Sequence, residues 1–538
     1  MTAPWWRDAA VYQVYPRSFA DADGDGEGDL AGIRSRLQHI RDLGADAVWF
    51  APWYPSAGAD GGYDVADYRA IEPRLGTLAE AEQLIAEARA QGLRTIVDVV
   101  PNHLATTHAW FAEALAAGPG SRARERFLFR PGRGPDGAEP PNDWQSAFGG
   151  PAWSRVHEPD GAPGEWYLHL FAPAQADLNW EHPDVRAEFE DVLRFWLRRG
   201  VSGIRVDSAT MIAKDPALPP VPARPGPGEH PYVDRDAVHD VYRSWRRVVE
   251  EFGDDRILVG EVWLGDGGRL AAYLRPDELH TAFNFDLMSQ PWDAEAVRAS
   301  ISATLAHHGL VGAPATWVLS NHDVTRPVTR FGRAETAFHP ARRRAGVPTD
   351  VTLGTRRARA AALLVAALPG SLYIYQGDEL GLPEVEELSP EERRDPIFAQ
   401  TRGTDPGRDG CRVPLPWEGD APPYGFSRAG TRTWLPQPAG WAALTVAAQR
   451  RDPGSMLLLY RRALDLRRSL TAGRGEELTW VDVAPGVLAF DRPGAFRCAV
   501  NFSDAAVALD GWDVLLASEP LTESLLAPGT AVWAVPAW

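Results

Sequence analysis

Four acids stand at the ends of short apolar runs: Asp98 closes "TIVD", Asp207 closes "GIRVD", Glu261 closes "LVGE" and Asp323 closes "LSNHD". A single carboxylate after a buried strand is often only the N-cap of the next helix. Several such ends gathered over one mouth are another matter, because packed carboxylates repel unless cations or hydrogen bonds offset the cost. Arg205 supplies a cation. It lies two residues before Asp207, and the period of two along a strand puts both side chains on one face. Such a neighbour lowers the acid's pKa and keeps it ionised as a nucleophile. His103 and His322 sit beside the same mouth, where neutral imidazoles can bind hydroxyl groups. In "GGYDVADY", Tyr63 and Asp64 follow a glycine turn and offer an aromatic platform beside a carboxylate.

A second acidic cluster differs in kind. In "DADGDGEGDL", Asp21, Asp23, Asp25, Glu27 and Asp29 occupy alternate positions. That is the oxygen spacing of a calcium loop, with Gly26 at the sixth place for the sharp turn. The twelfth place, which should hold a bidentate Glu, is Gly32, so a helix–loop–helix calcium site is rejected. A single oxygen-rich metal loop and a solvated acidic turn remain.

The elements that must position these groups alternate in type. Strand-like runs begin at "AVYQVYPRSF", "ADAVWFAPWY", "LRTIVDVVPNH", "GIRVDS", "RILVGEVW", "TAFNFDLM" (281–288), "ATWVLSNHD" and "SLYIYQGDEL". Helical patterns follow them, such as Leu30, Ile33, Leu37 and Ile40 at helix spacing. Eight strands, each followed by a helix, predict an α/β fold of the (β/α)8 TIM barrel type, with its chemistry at the C-terminal strand ends. A doubly wound open sheet is the alternative, and no dinucleotide glycine fingerprint follows the first strand. About 80 residues rich in Gly, Pro and aromatics separate the third strand from its helix, long enough to be a subdomain. The expected division is barrel over 1–103, inserted subdomain over 104–174, barrel again over 175–470, and a small C-terminal β-sandwich over 471–538.

The net charge of −18 is mixed along the chain and gives no nucleic-acid footprint. Cys411 and Cys498 are the two cysteines, too few for a disulfide framework. No basic-then-apolar leader and no membrane-length apolar run is visible, so a soluble cytoplasmic protein without membrane partners is expected. Tryptophan, at 21, outnumbers Phe and Tyr, which suits ligands part apolar and part hydroxyl.

Taken together, "DVVPNH", "GIRVDS", "GEVW", "SNHD" and "QADLNW" resemble the α-amylase superfamily of glycoside hydrolases, within it the exo-acting α-glucosidases and oligo-1,6-glucosidases. The likeness runs from about residue 5 to 470. It implies Asp207 as nucleophile, Glu261 as general acid/base and Asp323 as the acid that orients the sugar. It implies that Tyr63, Asp64, His103, Arg205 and His322 hold the sugar at the cleavage subsite, with Phe148 and Phe171 lining the pocket. Arg408 would reach the substrate and Arg412 brace its loop, from the segment "GRDGCRVPLPW". The implied metal is a structural Ca2+ or Mg2+, bound by the side chains of Asp21, Asp23, Asp25 and Asp29 and the carbonyl of Glu27.

Thr210 and Met211 stand where endo-acting relatives carry Lys-His, which favours short oligosaccharide substrates. Ser208 directly after the nucleophile tilts the expectation toward maltose-type α-1,4 linkages, with α-1,6 next. Rival readings are a trehalose- or sucrose-acting enzyme or a transglucosylase on the same scaffold, and a non-catalytic transporter-associated relative, which lacks the acids and carries a membrane helix. A monomer or small homo-oligomer is expected. Residues 330–357 read as a lid or as a plain surface loop.

Overall fold

All eight apolar runs contain a strand. The computed structural model describes residues 4–158, 160–471, 475–494 and 496–537. The barrel strands are Ala10–Val14, Ala47–Phe50, Arg94–Val99, Gly203–Val206, Ile257–Gly260, Thr281–Ala282, Thr316–Val318 and Ser371–Tyr375. They form one eight-stranded sheet in which each neighbouring pair is parallel. The sheet is ordered so that the sixth and seventh strands are its two edges. Asn284 N donates to Thr316 O across those edges at 3.0 Å and draws the sheet into a barrel.

The sixth run is shorter than expected. Of 281–288, the pair Thr281–Ala282 is strand, and Phe285–Ser289 turns into a helix. The cause is local: the Asn284 side chain accepts from Leu287 N and starts the helix.

Helix boundaries follow capping chemistry. Asp29 accepts from Gly32 N at the start of Leu30–Leu43, and Gly44, at φ +101°, ends it. Leu30, Ile33, Leu37 and Ile40 are buried against the barrel as their spacing demands. Thr77 and Glu80 form a reciprocal capping box at the start of Leu78–Ala90.

The inserted segment leaves and rejoins the barrel through one short ladder, His103–Ala105 against Gln175–Asp177. Between lie the helix Ala109–Ala117 and a three-stranded antiparallel sheet of Phe129–Arg130, Pro163–Leu168 and Trp153–His157. After the helix Met456–Thr471 comes a five-stranded sheet, and a separate two-stranded ladder joins Val507–Ala508 to Leu525–Leu526. Trp533 Nε1 donates to Leu363 O at 3.1 Å, fixing the five-stranded sheet to the helix Val351–Ala367. Within 330–357, Phe338 is buried, Pro340–Arg342 forms a 3-10 turn and the helix begins at Val351. Among the described residues no helix is long and apolar enough to cross a membrane.

Candidate active site

Strands three, four and five continue their hydrogen bonding one step past the sheet. Asp207 N donates to Val99 O and Glu261 N to Val206 O, both at 2.9 Å. These bonds fix the two acids at adjacent strand ends. The Arg205 side chain lies on the same face as Asp207, as the two-residue spacing requires. Its Nη1 donates to Asp207 Oδ1 at 2.7 Å and to Asp98 Oδ1 at 2.8 Å, while Nη2 donates to Glu261. One buried guanidinium therefore serves three carboxyls.

Ser208 completes the arrangement. Its backbone is left-handed, at φ +45°, a strained state for serine. In that state its N–H donates to Glu261 Oε2 at 3.1 Å and its hydroxyl to Asp207 Oδ2 at 2.9 Å. Its hydroxyl thus braces the Asp207 carboxylate. Trp263 Nε1 donates to Glu261 Oε1 at 2.9 Å, its ring stacked on Phe285 at 3.9 Å.

Asp323 is held from the other side. Its Oδ1 accepts from Arg412 Nη2 at 2.7 Å and from Arg408 Nη1 at 3.1 Å. Gln13 Nε2 donates to His322 Nδ1 at 2.7 Å, so the proton of the neutral ring sits on Nε2. That atom has no hydrogen-bond partner and stands 3.4 Å from Asp323 Oδ2. The His322 ring lies between Tyr63, stacked at 5.2 Å, and Tyr15, at 5.8 Å. The Tyr63 hydroxyl donates to Asp98 Oδ2 at 3.1 Å. His103 Nε2 lies 3.0 Å from Gln175 Nε2. Phe171 meets His103 edge-on at 5.1 Å, and Phe148 lies under the Arg408 guanidinium at 4.9 Å.

Asp64 is a correction. Its carboxylate is fully buried and accepts from the Ser56 hydroxyl and from Ala59 N and Asp60 N, so it holds the turn instead of facing the cleft. The acid that joins the cluster is Asp60, four residues earlier. Its Oδ1 accepts from Arg408 Nη2 at 2.6 Å and its Oδ2 from Gln175 at 3.1 Å. Sequence reasoning also passed over Asp395, which pairs with Arg408 at 2.6 Å, and Gln13. Gln13 carried a signal, a lone amide inside the apolar strand "AVYQV".

The two flanks differ in protonation. Burial pushes Asp98 and Glu261 up to about 7 and Asp207 to about 6, and the shared Arg205 only partly offsets it. Glu261 thus titrates above Asp207. Burial would also raise Asp323, yet His322, Arg408 and Arg412 hold it far below the carboxylate range. Burial drives His322 down to about 3, so at neutral pH the two arginines carry that effect. Burial likewise lowers His103 to about 4, and it raises Asp60 to about 6 despite Arg408.

In the acidic loop, oxygens of Asp21, Asp23 and Asp29 lie within 4.8 Å of one another. Asp25 differs from expectation: its carboxylate accepts from Glu27 N at 2.8 Å and lies outside that group. The Glu27 carboxylate is paired with Arg17 at 2.9 Å and Arg74 at 3.1 Å. Gly26 has φ +98°, and a Cβ there would stand 2.2 Å from Arg432 O, so no other residue lets the loop seat on that segment. Carboxylate oxygens are the donor type that hard cations take.

Comparisons with known proteins agree with this geometry. Residues 13–473 match the alpha amylase catalytic domain family. The chain is 37% identical to a probable alpha-glucosidase of Rhizobium meliloti over 93% of its length and 90% of that protein. It is 33% identical to an oligo-1,6-glucosidase of Parageobacillus thermoglucosidasius, covering 87% and 84%. Among solved structures, an alpha-glucosyl transfer enzyme superposes with a TM-score of 0.85 at 34% identity, over 99% of this chain and all of that one. A chain that matches the catalytic domain over most of its length and carries carboxyls at the barrel's strand ends belongs to the alpha-amylase family of glycoside hydrolases.

Proposed function

We propose that the protein is a retaining exo-α-glucosidase. It removes terminal α-linked glucose from short oligosaccharides, favouring maltose-type α-1,4 linkages and also admitting α-1,6. The observation that carries this reading is the single Arg205 guanidinium joined to both Asp207 and Glu261. Such sharing keeps the two carboxyls close and supports the spacing of about 5–5.5 Å used by a retaining pair. Protonated Glu261 donates to the leaving oxygen while Asp207 attacks the anomeric carbon. Water then resolves the glycosyl-enzyme with Glu261 acting as base. Asp323 stays ionised, and the free Nε2–H of His322 is available to a sugar hydroxyl. The Asp60–Arg408–Asp323 chain of ion pairs beside Phe148 supports a pocket for one terminal sugar.

In the acidic loop we assign a structural Ca2+ or Mg2+ to Asp21, Asp23 and Asp29, with the Glu27 carbonyl, and leave Asp25 out. That ion would fix the loop and take no part in cleavage. The two buried, unpaired cysteines agree with a cytoplasmic setting.

An NMR time course on maltose tests the mechanism. α-Glucose must appear first, and initial β-glucose overturns retention. Product analysis on maltose, isomaltose, sucrose and trehalose tests the substrate. The likeness to an alpha-glucosyl transfer enzyme favours a second reading, in which a sugar hydroxyl replaces water in the second step. Transfer products that dominate over free glucose at low acceptor concentration would establish it.

A further inference from the structure

The chain carries a net charge of −18, yet one concavity beside the catalytic acids is built largely from arginine. Arg330, Arg333, Arg342, Arg343 and Arg344 line a cavity of about 350 Å³, with Glu335 as the carboxylate in that lining. The cavity shares a wall with the active site. Arg343 Nη2 donates to the main-chain oxygen of Asp323 at 3.0 Å, and Thr325 lines the cavity two residues beyond that acid. It also shares an apolar floor. Phe338 belongs to the cluster of Val324 and Phe285, against which Trp263 packs while donating to Glu261.

The arginines are unequally committed. Arg333 pairs with Glu386, and Arg343 stands 3.8 Å from Asp405. Arg342 and Arg344 are exposed and form no salt bridge among the described residues. Arg330 is only 3% exposed, and its Nε has no hydrogen-bond partner, as is also true of Arg343 Nε. Buried donors without acceptors are costly, and packed like charges repel, so the cluster is most stable with an anion in it. The planar fork of arginine matches a phosphate or carboxylate.

We propose that this cavity binds an anionic group, phosphate or carboxylate, carried by the leaving part of an α-glucoside. The preferred substrate class is then glucose joined to a charged aglycone. The proposal rests on the glucosidase reading: with glucose at Asp207, a leaving group that runs past Glu261 and Asp323 meets these arginines.

The test compares kcat/KM of the full chain on maltose, on maltose phosphorylated at C6 of the reducing glucose, and on glucose α-linked to glucuronic acid. The anionic substrates are expected to exceed maltose by about tenfold or more, the worth of one good charge-assisted contact. An advantage for both anions defines the site as general, and an advantage for one identifies which. The doubly substituted Arg342→Ala/Arg344→Ala protein should lose most of that ratio, and Arg342→Glu/Arg344→Glu should invert it. Both arginines are exposed, so folding is checked simply by an unchanged melting curve. Equal rates for charged and neutral substrates in the unaltered protein overturn the proposal. So does a ratio that survives charge reversal. A calorimetric titration of Asp207→Asn with glucose 6-phosphate against glucose reads the cavity without turnover. If no α-glucoside is cleaved at all, the glucosidase reading fails, and the titration still decides the cavity: tighter binding of the phosphate supports it, equal binding rejects it.

Discussion

Two groups of buried carboxyls face one another across this active site, and they are supplied with cations unequally. Asp98, Asp207 and Glu261 share the one guanidinium of Arg205. Asp323, Asp60 and Asp395 are served by Arg408, and Asp323 by Arg412 as well. The first group titrates near neutrality, whereas Asp323 is held ionised at any working pH. The retaining mechanism proposed above needs both behaviours within a few ångströms, a proton kept on one flank and a fixed negative charge on the other. The number of arginines per acid sets which flank does which. Asp60 marks the limit of that rule: with one arm of Arg408 and one amide as partners, burial still prevails and its pKa rises to about 6.

Substitutions can break the comparison. Asp207→Asn should lower kcat by on the order of 10⁴-fold or more if, as proposed, Asp207 forms the glycosyl-enzyme. Sugar binding, followed by calorimetry, should persist. Arg205→Met comes next. It leaves three buried carboxyls with no shared cation, so kcat/KM should fall by about 10²–10³-fold and stability by about 3–5 kcal/mol. Chemical denaturation measures the second quantity. Arg412→Met should cost only about tenfold in kcat/KM, because Arg408 remains on Asp323. Equal losses at Arg205 and Arg412 would show that cation number is not what separates the flanks.

The pH profile sharpens the contrast. With Asp207 near 6 and Glu261 near 7, kcat/KM should peak between about pH 6 and 7, falling on the acid side as Asp207 protonates and on the basic side as Glu261 deprotonates. Stability moves in opposite senses on the two flanks. Asp98, Asp207 and Glu261 have folded pKa values above their unfolded ones, so the native state holds more protons between about pH 4 and 7 and loses stability as pH rises through that window. Asp323 is depressed, so its contribution is complete above the ordinary value of 3.8 and is lost as pH falls below it. Melting curves of the unaltered protein and of Asp323→Asn should therefore differ above about pH 4 and converge in acid. Chelation should have the smallest effect, lowering Tm by roughly 2–4 °C while the rate at 25 °C is kept.

The strand-borne part of the site was legible because strands obey a period. Arg205 and Asp207 had to share a face, and each apolar run had to end in its acid at the mouth. The loop-borne part obeys no period. Asp60 and Asp64 flank the same glycine turn, and which of them turns inward depends on tertiary contacts with Arg408 and Ser56 that no local pattern encodes. The bond from the Ser208 hydroxyl to Asp207 was illegible for a related reason: it depends on a left-handed backbone that no local pattern announces. The run at 281–288 was misjudged in length because Phe283 and Phe285 suit a strand, while Asn284 between them caps the helix that forms.

The seating of the acidic loop also bears on how the molecule is made. Asp21 N donates to Phe426 O, Trp434 N to Gly26 O, and Arg428 reaches Ala22 O from 406 positions away. A chain leaving the ribosome exposes this loop long before its partner exists. Strand one must likewise wait for strand eight. The ring is therefore completed only once residues 371–375 have been made, and a fragment cut short before residue 371 would leave both the loop and the first strand's edge open to wrong partners.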